Sequence, residues 1–368
     1  MSRKAGSIRV RSELAVPLMA VVVGLLFGAL AMILTGTNPI RAYAALIRGC
    51  FGSRADLSET SVYVTPLIFT GLSIAVAYKA GLFNIGAEGQ LIVGMVASAI
   101  VGVAGAGLPR IIHLPLTLAS GMLAGALWAF VPGILKAKFG VHEVVNSIMM
   151  NYIALYLSHY LVTGPIKDPN IAAPYSREIA NTAKLTRFFG GFGSSYRFNS
   201  GLLIAIAAAL LVYYILYRTT LGYEIRAVGH NPDAARYAGI SVARSVTLSM
   251  MLAGGMSGLA GAVQVCGIQY KFLDLFAFEG FGFDGIAVAL VAKGHPLAVL
   301  GSASLFGILQ RGSQMMQGIA HVPKQVAGIV QAVVVFMVAA EGLIEGWLRI
   351  PVLSKAFGHR AGKEEDVR

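Results

Sequence analysis

Charged side chains are scarce in this sequence. They make up 12% of its 368 residues, whereas 56% are hydrophobic and the mean hydropathy is +0.72. Soluble domains carry about twice that charged fraction, and a soluble fold of this length could not hide so much apolar surface. A lipid bilayer solvates such side chains directly. The composition therefore predicts an all-α polytopic membrane protein.

Metal-ligand spacings and phosphate-binding motifs are also missing from the sequence. Cys50 and Cys266 are the two cysteines of the chain, and they form neither a disulfide framework nor a ligand spacing. His159 has no carboxylate or second histidine at ligand spacing. No lysine is followed by serine or threonine, so the G-x-x-x-x-G-K-[ST] loop is absent. We expect no catalytic residue, no metal site and no cofactor bound by this chain.

The formal net charge of +12 raises the question of a nucleic acid partner. The basic residues are scattered between apolar runs instead of being gathered on one face, so orientation in a lipid bilayer explains them better. We therefore expect contact with lipid and no nucleic acid partner. Residues 1–13 carry four Lys or Arg before a run too long for a signal peptide, and we interpret them as a retained cytoplasmic tail.

Apolar runs occur along the whole chain. A membrane core of about 30 Å needs about 20 helical residues, or fewer where a helix is broken. The runs are residues 14–35, 62–78, 91–106, 114–135, 144–162, 202–217, 246–268, 281–292, 297–309 and 326–344. They predict a bundle of about ten transmembrane helices, some of them broken. If the short runs 281–292 and 297–309 form one interrupted unit, the number is nine or fewer.

The runs define a transmembrane domain over residues 14–347. Ten spans put both termini on one side of the membrane, and the segments on that side hold 17 of the 29 Lys and Arg residues. This excess predicts that this side is cytoplasmic. Residues 218–244 are then a cytoplasmic loop, 164–199 an extracytoplasmic loop and 348–368 a basic cytoplasmic tail.

Glycine is abundant, with 44 residues. Some glycines are spaced four apart, which favours close helix packing in membranes, although a single pair also arises by chance in a glycine-rich chain. The pairs are Gly24/Gly28, Gly121/Gly125, Gly254/Gly258 and Gly342/Gly346.

The cytoplasmic loop contains signals for one short helix, over about residues 232–238. Asn231 is a good N-cap, Pro232 suits the first helical position and Asp233 complements the helix dipole. Gly239 suits a left-handed C-cap. We expect loop on both sides of this helix, which is too short to be stable alone. It is either held by a partner or rests on the bundle of its own chain.

Two membrane-facing segments carry polar residues that are candidates for a substrate path. Residues 79–90 (KAGLFNIGAEGQ) place Asn84, Glu88 and Gln90 among glycines beside an apolar run. A buried ionisable group is costly there and so indicates function. The alternative is an ordinary turn at the membrane surface, with Glu88 in water.

The fifth run carries a polar stripe. Ser147, Asn151 and Ser158 share one helical face, which Asn146 borders. Gln264 on a later run has a similar character. These side chains either line the substrate path or hydrogen-bond between helices. We include Asn146, Asn151 and Gln264 among the candidate path residues.

A glycine-rich motif in the late membrane region is misleading. Gly280, Gly282 and Gly285 satisfy the G-x-G-x-x-G pattern of dinucleotide sites. That pattern requires a preceding strand within a βαβ unit, whereas here it opens an apolar run. We expect these glycines to serve a helix break or close packing.

Four segments resemble the inner-membrane permeases of ABC importers, in the branch of ribose-type and branched-chain amino acid permeases. Within that branch they are most similar to nucleoside (purine-type) and simple-sugar permeases. The segments are residues 81–90 (GLFNIGAEGQ), 141–157 (VHEVVNSIMMNYIALYL), 227–242 (AVGHNPDAARYAGISV) and 283–300 (FDGIAVALVAKGHPLAVL). The resemblance covers about residues 62–340.

The resemblance implies a permease subunit in a bacterial inner membrane, moving a small polar solute with a nucleoside as the leading substrate. A flavin or a pentose would fit the same scaffold. Its partners would be a second related permease or a second copy of itself, an extracytoplasmic substrate-binding lipoprotein, and an ATP-binding subunit carrying ATP and Mg. That subunit would grip the coupling residues Asn231, Pro232, Asp233, Ala234, Ala235 and Gly239.

Two other classes of protein compete with this interpretation. A secondary transporter or channel should carry paired carboxylates in the membrane or broken spans in both halves. Glu88 is the one good candidate for a carboxylate in the membrane, whereas Asp284 and Glu341 lack evident partners. A membrane-embedded enzyme should show a nucleophile–base pair or a metalloprotease motif, and neither pattern occurs.

Overall fold

A computed structural model describes residues 21–188 and 196–339, and this part of the chain is built from α-helices. The helices are α1 (Val21–Leu34), α2 (Pro39–Phe51), α3 (Arg54–Lys79), α4 (Ala87–Ala104), α5 (Arg110–Phe139), α6 (Glu143–Thr163), α7 (Gly201–Arg218), α8 (Thr220–His230), α9 (Pro232–Tyr237), α10 (Val242–Gln264), α11 (Phe281–Val291), α12 (Pro296–Ala320) and α13 (Lys324–Ala339). Extended pairing within these ranges consists of isolated bridges. The predicted tails, 1–13 and 348–368, lie outside the described residues.

The predicted all-helical membrane fold is confirmed. Each of the ten apolar runs overlaps one helix. Among the described helices, five are long and apolar enough to cross a membrane: α3, α4, α5, α7 and α10 with its extension to Gln269. Shorter apolar stretches lie on α1, α11 and α13. Runs 281–292 and 297–309 form two helices, because Lys293 and Gly294 adopt positive φ angles of 51° and 64° between them.

The chain divides into two units. One consists of the segments up to residue 47 and from residue 312 onward. Within it, Gly24 and Gly28 of α1 face α13. A Cβ on Gly24 would lie 2.6 Å from the Cα of Val334, and one on Gly28 would lie 2.9 Å from Cγ1 of Val330. This glycine pair therefore permits close helix packing, as predicted.

The other unit, residues 48–311, is organised around α10, which packs against α3, α4 and α5. Two predicted glycine pairs face each other across the contact between α5 and α10. A Cβ on Gly125 would lie 2.3 Å from the carbonyl oxygen of Gly254, and one on Gly258 would lie 2.2 Å from that of Gly121. Any side chain there would push the helices apart. The fourth pair, Gly342/Gly346, lies outside the described residues.

The described part of the loop predicted over residues 164–199 is hydrogen-bonded to the chain that follows α10. Ser176 donates its backbone N–H to the carbonyl of Phe272 at 3.0 Å, and Ile179 donates to that of Tyr270 at 2.8 Å. From these contacts the chain runs on to Gly280, the residue before α11. Residues 270–280 thus connect this loop to the interior of the unit.

The region between α7 and α10 differs from the prediction. We expected loop on both sides of the short helix, but α8 (Thr220–His230) ends at the residue before Asn231. Thr219 caps α8 by accepting the N–H of Gly222 at 3.2 Å. The expectation was wrong because Gly222 and Gly229 count against a helix in sequence. In the structure they are sites of close backbone approach.

Candidate functional site

The segment between α3 and α4 turns back into the helix bundle. Gly81 has a φ of +73°, and Leu82 donates its N–H to the carbonyl of Ala77 at 3.0 Å. The Nδ2 of Asn84 then reaches Ser73 Oγ at 3.1 Å. Ser73 precedes the end of α3 by six residues, about 9 Å along a helix axis. Helix α4 therefore begins inside the bundle instead of at its edge.

Two of the predicted path residues bond to each other at this turn. Asn84 Nδ2 donates to Gln90 Oε1 at 2.9 Å, and Gln90 Nε2 donates to Asn84 Oδ1 at 3.0 Å. Both side chains are buried. Because a buried amide is costly without partners, this reciprocal pair stabilises the turn.

Glu88 caps a helix that lies far away in sequence. Its Oε1 accepts the N–H of Gly280 at 2.8 Å and its Oε2 accepts that of Gly282 at 2.5 Å. These N–H groups belong to the first turn of α11, 192 and 194 positions further along the chain. Glu88 also lies in the first turn of α4. Two helix N-termini thus stabilise one fully buried carboxylate.

The glycines of the G-x-G-x-x-G motif have structural roles at this junction. Gly280 adopts a φ of +91°, which starts α11 after the preceding loop. A Cβ on Gly282 would lie 2.3 Å from the backbone N of Glu88, and one on Gly285 would lie 2.6 Å from Oγ1 of Thr70. The expectation was a helix break or close packing, and close packing is found at Gly282 and Gly285.

Asn151 of α6 joins a third helix to the same place. Its Oδ1 accepts the N–H of Gly89 at 2.8 Å, and its Nδ2 donates to the carbonyl of Ile85 at 3.0 Å. The N–H of Gly89 belongs to the first turn of α4, where N–H groups lack intrahelical partners, and Ile85 lies just before that turn. Asn84, Glu88, Gln90 and Asn151 therefore form one junction, which holds together the starts of α4 and α11 and the middle of α6.

The remaining predicted path residues lie outside this bonded set. Asn146 is half-buried on α6, and its Nδ2 atom is buried with no hydrogen-bond partner in the described chain. The Oγ of Ser147 is likewise buried and has no hydrogen-bond partner among the described residues. Gln264 is the last residue of α10, before a π turn over Val265–Gln269. The polar stripe of α6 faces its own bundle at Ser147, Asn151 and Ser158, which are all buried.

Sequence reasoning did not reveal the contact between His159 and Asp274. His159 Nδ1 lies 2.9 Å from Oδ1 of Asp274, which is 115 residues away along the chain. The sequence offered His159 no carboxylate at ligand spacing, and spacing along one helix could not reveal this contact. The described residues hold no cluster of three or more His, Cys, Asp or Glu side chains suited to a metal ion.

The predicted coupling helix is present as α9 (Pro232–Tyr237). Asn231 Oδ1 accepts the N–H groups of Asp233 and Ala234, each at 3.0 Å. Gly239 follows the helix with a φ of +81°, as predicted for a left-handed C-cap. Ala235 is buried, whereas the other residues from 231 to 239 are exposed. The helix therefore rests on the protein through one small side chain and presents the rest of its surface outward.

Helix α8 connects α9 to the turn that follows α3. A Cβ on Gly229 would lie 2.1 Å from the carbonyl oxygen of Lys79, so the two backbones touch. Lys79 ends α3, and Gly81 begins the turn that leads to Asn84 and Glu88. Helix α8 therefore lies between α9 and the segment that carries the junction.

Comparison with known proteins identifies the family to which this chain belongs. Residues 57–339 match the family model described as the permease component of branched-chain amino acid transport systems. The guanosine ABC transporter permease protein NupP of Bacillus subtilis is 42% identical over 329 residues, 89% of this chain and 94% of NupP. The nucleoside ABC transporter permease protein NupB of Lactococcus lactis is 39% identical over 90% of this chain and 92% of NupB.

Other relatives differ in substrate or in their place within a system. The glucose ABC transporter permease protein TsgB13 of Haloferax volcanii is 34% identical over 88% of this chain and 87% of its own length. A second guanosine ABC transporter permease of Bacillus subtilis, NupQ, is 31% identical over 68% of this chain and 79% of NupQ. This chain is therefore similar to two different proteins of Bacillus subtilis that are both named as guanosine permeases.

Proposed function

The chain belongs to the family of permease components of branched-chain amino acid type transport systems, and we propose that it is a nucleoside permease subunit of an ABC importer. The similarity to NupP and NupB over about nine-tenths of the chain carries this proposal. Nucleosides are favoured over sugars because the two nucleoside permeases are more similar to this chain than the glucose permease.

A partner ATPase supplies the energy in this proposal. The full sequence lacks the G-x-x-x-x-G-K-[ST] loop that cradles nucleotide phosphates. ATP and Mg therefore bind on the partner, and this chain contributes the path through the membrane.

The partner would dock on α9. Apart from Ala235, residues 231–239 are exposed, and Tyr237 at the end of the helix is 95% exposed. A helix of six residues is too short to be stable by itself. Residues Asn231, Pro232, Asp233, Ala234, Ala235 and Gly239 define this coupling element, and α8 links it to the turn after Lys79.

A second permease would complete the path. NupP and NupQ are both named as guanosine permeases of one organism, which supports a pair of related but different subunits. A second copy of this chain is the other arrangement. An extracytoplasmic lipoprotein would deliver the nucleoside to the face that carries residues 164–199.

The proposed topology has ten spans with both termini in the cytoplasm of a bacterial cell. Cysteine labelling tests it. Asn170 and Ala234 are both exposed, on the loops predicted to lie outside and inside respectively. An impermeant maleimide should label Asn170→Cys in intact cells and label Ala234→Cys after lysis alone. Labelling of Ala234→Cys in intact cells would reverse the orientation.

The substrate path would run beside the junction of Asn84, Glu88, Gln90 and Asn151, and would also include Asn146 on α6 and Gln264 on α10. Four of these side chains are bonded to each other or to backbone. We propose that they support the wall of the path in the conformation described, and that Asn146, with its unbonded Nδ2, reaches the nucleoside.

ATP-driven uptake tests the function. The chain is tagged and purified in detergent with its associated subunits, then reconstituted in liposomes with the lipoprotein. Labelled guanosine should accumulate with ATP, should not accumulate with a non-hydrolysable analogue, and should be insensitive to a proton ionophore. Accumulation without ATP that the ionophore abolishes would instead show a secondary transporter.

A further inference from the structure

Helix α6 has an exposed face that carries tyrosines at mid-helix. The helix packs mainly against α4 and α5, and Tyr152 and Tyr156 on its other side are 46% and 68% exposed. They are the tenth and fourteenth residues of a helix of 21 residues. Phenol hydroxyls favour the edges of a membrane, because hydrocarbon offers them no hydrogen bonds. The sequence predicts that α6 spans the membrane, and two phenols near the centre of that predicted span are better suited to a path containing water than to lipid.

Two phenylalanines from the late membrane region extend this face. The rings of Tyr152 and Phe278 meet edge to face with centroids 5.3 Å apart, and those of Phe278 and Phe283 do so at 5.6 Å. Behind them, Trp128 packs with Phe278 against a buried cluster that includes Ile92. In each pair the edge of one ring lies against one face of the other, so the contact leaves the opposite face of that ring uncovered, and Tyr152 and Phe283 remain 46% and 38% exposed. We call Tyr152, Phe278 and Phe283 the aromatic surface.

Hydrogen-bond acceptors without partners adjoin the aromatic surface. Glu279 follows Phe278 directly, and its Oε1 accepts from Gln269 Nε2 at 3.2 Å. The Oε2 of Glu279 and the Oε1 of Gln269 are buried and have no partner in the part of the chain described. Unbonded buried acceptors are costly, so a ligand that brings N–H donors would relieve that cost.

We propose that the aromatic surface stacks the nucleobase of the transported nucleoside. Glu279 and Gln269 then accept hydrogen bonds from the base. Planar rings beside a carboxylate suit guanine, which presents two neighbouring donor groups on one edge, N1–H and the 2-amino group, whereas the one donor group of adenine lies between two ring acceptors. This inference rests on the proposed function and adds the residues that select the substrate.

Equilibrium binding to the purified transporter without its lipoprotein tests the proposal, because uptake alone would report the lipoprotein's selectivity. Stacking of one base contributes about 1–3 kcal/mol, so Tyr152→Leu should weaken the binding of labelled guanosine at least about fivefold. Tyr152→Phe should bind normally, since it keeps the ring. Tyr160→Leu is the matched control, because Tyr160 is exposed on the same helix two turns away.

A second variant tests the role of the carboxylate. Glu279→Gln should weaken guanosine binding more than adenosine binding, so that the ratio of the two affinities moves toward one. Unchanged binding in both Tyr152→Leu and Glu279→Gln, or no saturable binding by the unaltered transporter, would overturn the proposal. ATP-driven guanosine uptake that persists in those variants would leave the importer function intact, so failure of the two proposals is distinguishable.

Discussion

Helices α9 and α11 are both short, yet they begin in opposite ways. The first N–H groups of α9 are accepted by Asn231, two and three residues away. Those of α11 are accepted by Glu88, almost two hundred residues away. Every helix start needs such acceptors. The difference lies in whether the acceptor is local or is supplied by the tertiary fold.

The local cap of α9 and the remote cap of α11 suit different roles of the two helices. A local cap lets α9 form at the surface, where its small contact with the protein through Ala235 leaves it free to follow a partner. A remote cap bonds the start of α11 to α4, and Asn151 bonds the start of α4 to α6. We therefore expect substitutions at the junction to change stability, and those at α9 to change coupling.

The largest expected effect is at Glu88. Glu88→Leu leaves the N–H groups of Gly280 and Gly282 buried without an acceptor, at a cost of about 1–3 kcal/mol for each. The variant should accumulate poorly and its purified form should unfold at a lower temperature in a fluorescence assay. Glu88→Gln is the matched control, because its amide oxygen still accepts one of the two bonds and should lose about half as much. Equal unfolding temperatures for wild type and Glu88→Leu would contradict the capping role.

A smaller loss of stability is expected at Asn151. Asn151→Leu removes its bonds to the N–H of Gly89 and the carbonyl of Ile85, which we expect to cost about 2 kcal/mol. The variant should assemble, unfold at a lower temperature and transport more slowly. Ser158→Ala is the control on the same buried face, because Ser158 bonds within its own helix to Leu155. A normal uptake rate for Asn151→Leu would remove this residue from the transport mechanism.

The smallest effect on stability, with a large effect on coupling, is expected at Gly239. Its φ of +81° is unfavourable for a β-branched residue, so Gly239→Val should cost about 1–2 kcal/mol in α9 alone. The protein should keep its unfolding temperature but lose copurification of the ATPase or substrate-stimulated ATP hydrolysis. Gly107→Val is the control, since Gly107 is exposed with no atom within 4 Å of its added Cβ and no positive φ. If Gly239→Val retains full ATP-dependent uptake, α9 is not the coupling site.

The burial of Ala235 changes how this helix should be probed. The family resemblance implies that an ATP-binding subunit grips Ala235, but this side chain is 3% exposed. A charge introduced there would lift α9 from its support instead of blocking the partner. Tyr237 and Asp233 are exposed and so are better positions for testing direct contact.

Features that depend on near neighbours were predicted well. The apolar runs, the Asn231 cap, the left-handed Gly239 and the glycine pairs of α5 and α10 all follow from spacing within one segment. Helix α8 escaped prediction because Gly222 and Gly229 weaken the helical pattern. Those glycines are required by contacts with Ile215 and Lys79, which the sequence of α8 cannot display.

By itself, the sequence determined that the chain is a helical membrane protein with a capped helix between α7 and α10. Composition and local hydrogen bonding are sufficient for that. The tertiary structure alone decided that Glu88 caps α11, that Asn151 bonds the start of α4 and that His159 meets Asp274. The physical reason is that a buried polar group must find a partner wherever the fold brings one, and that partner is often remote in sequence.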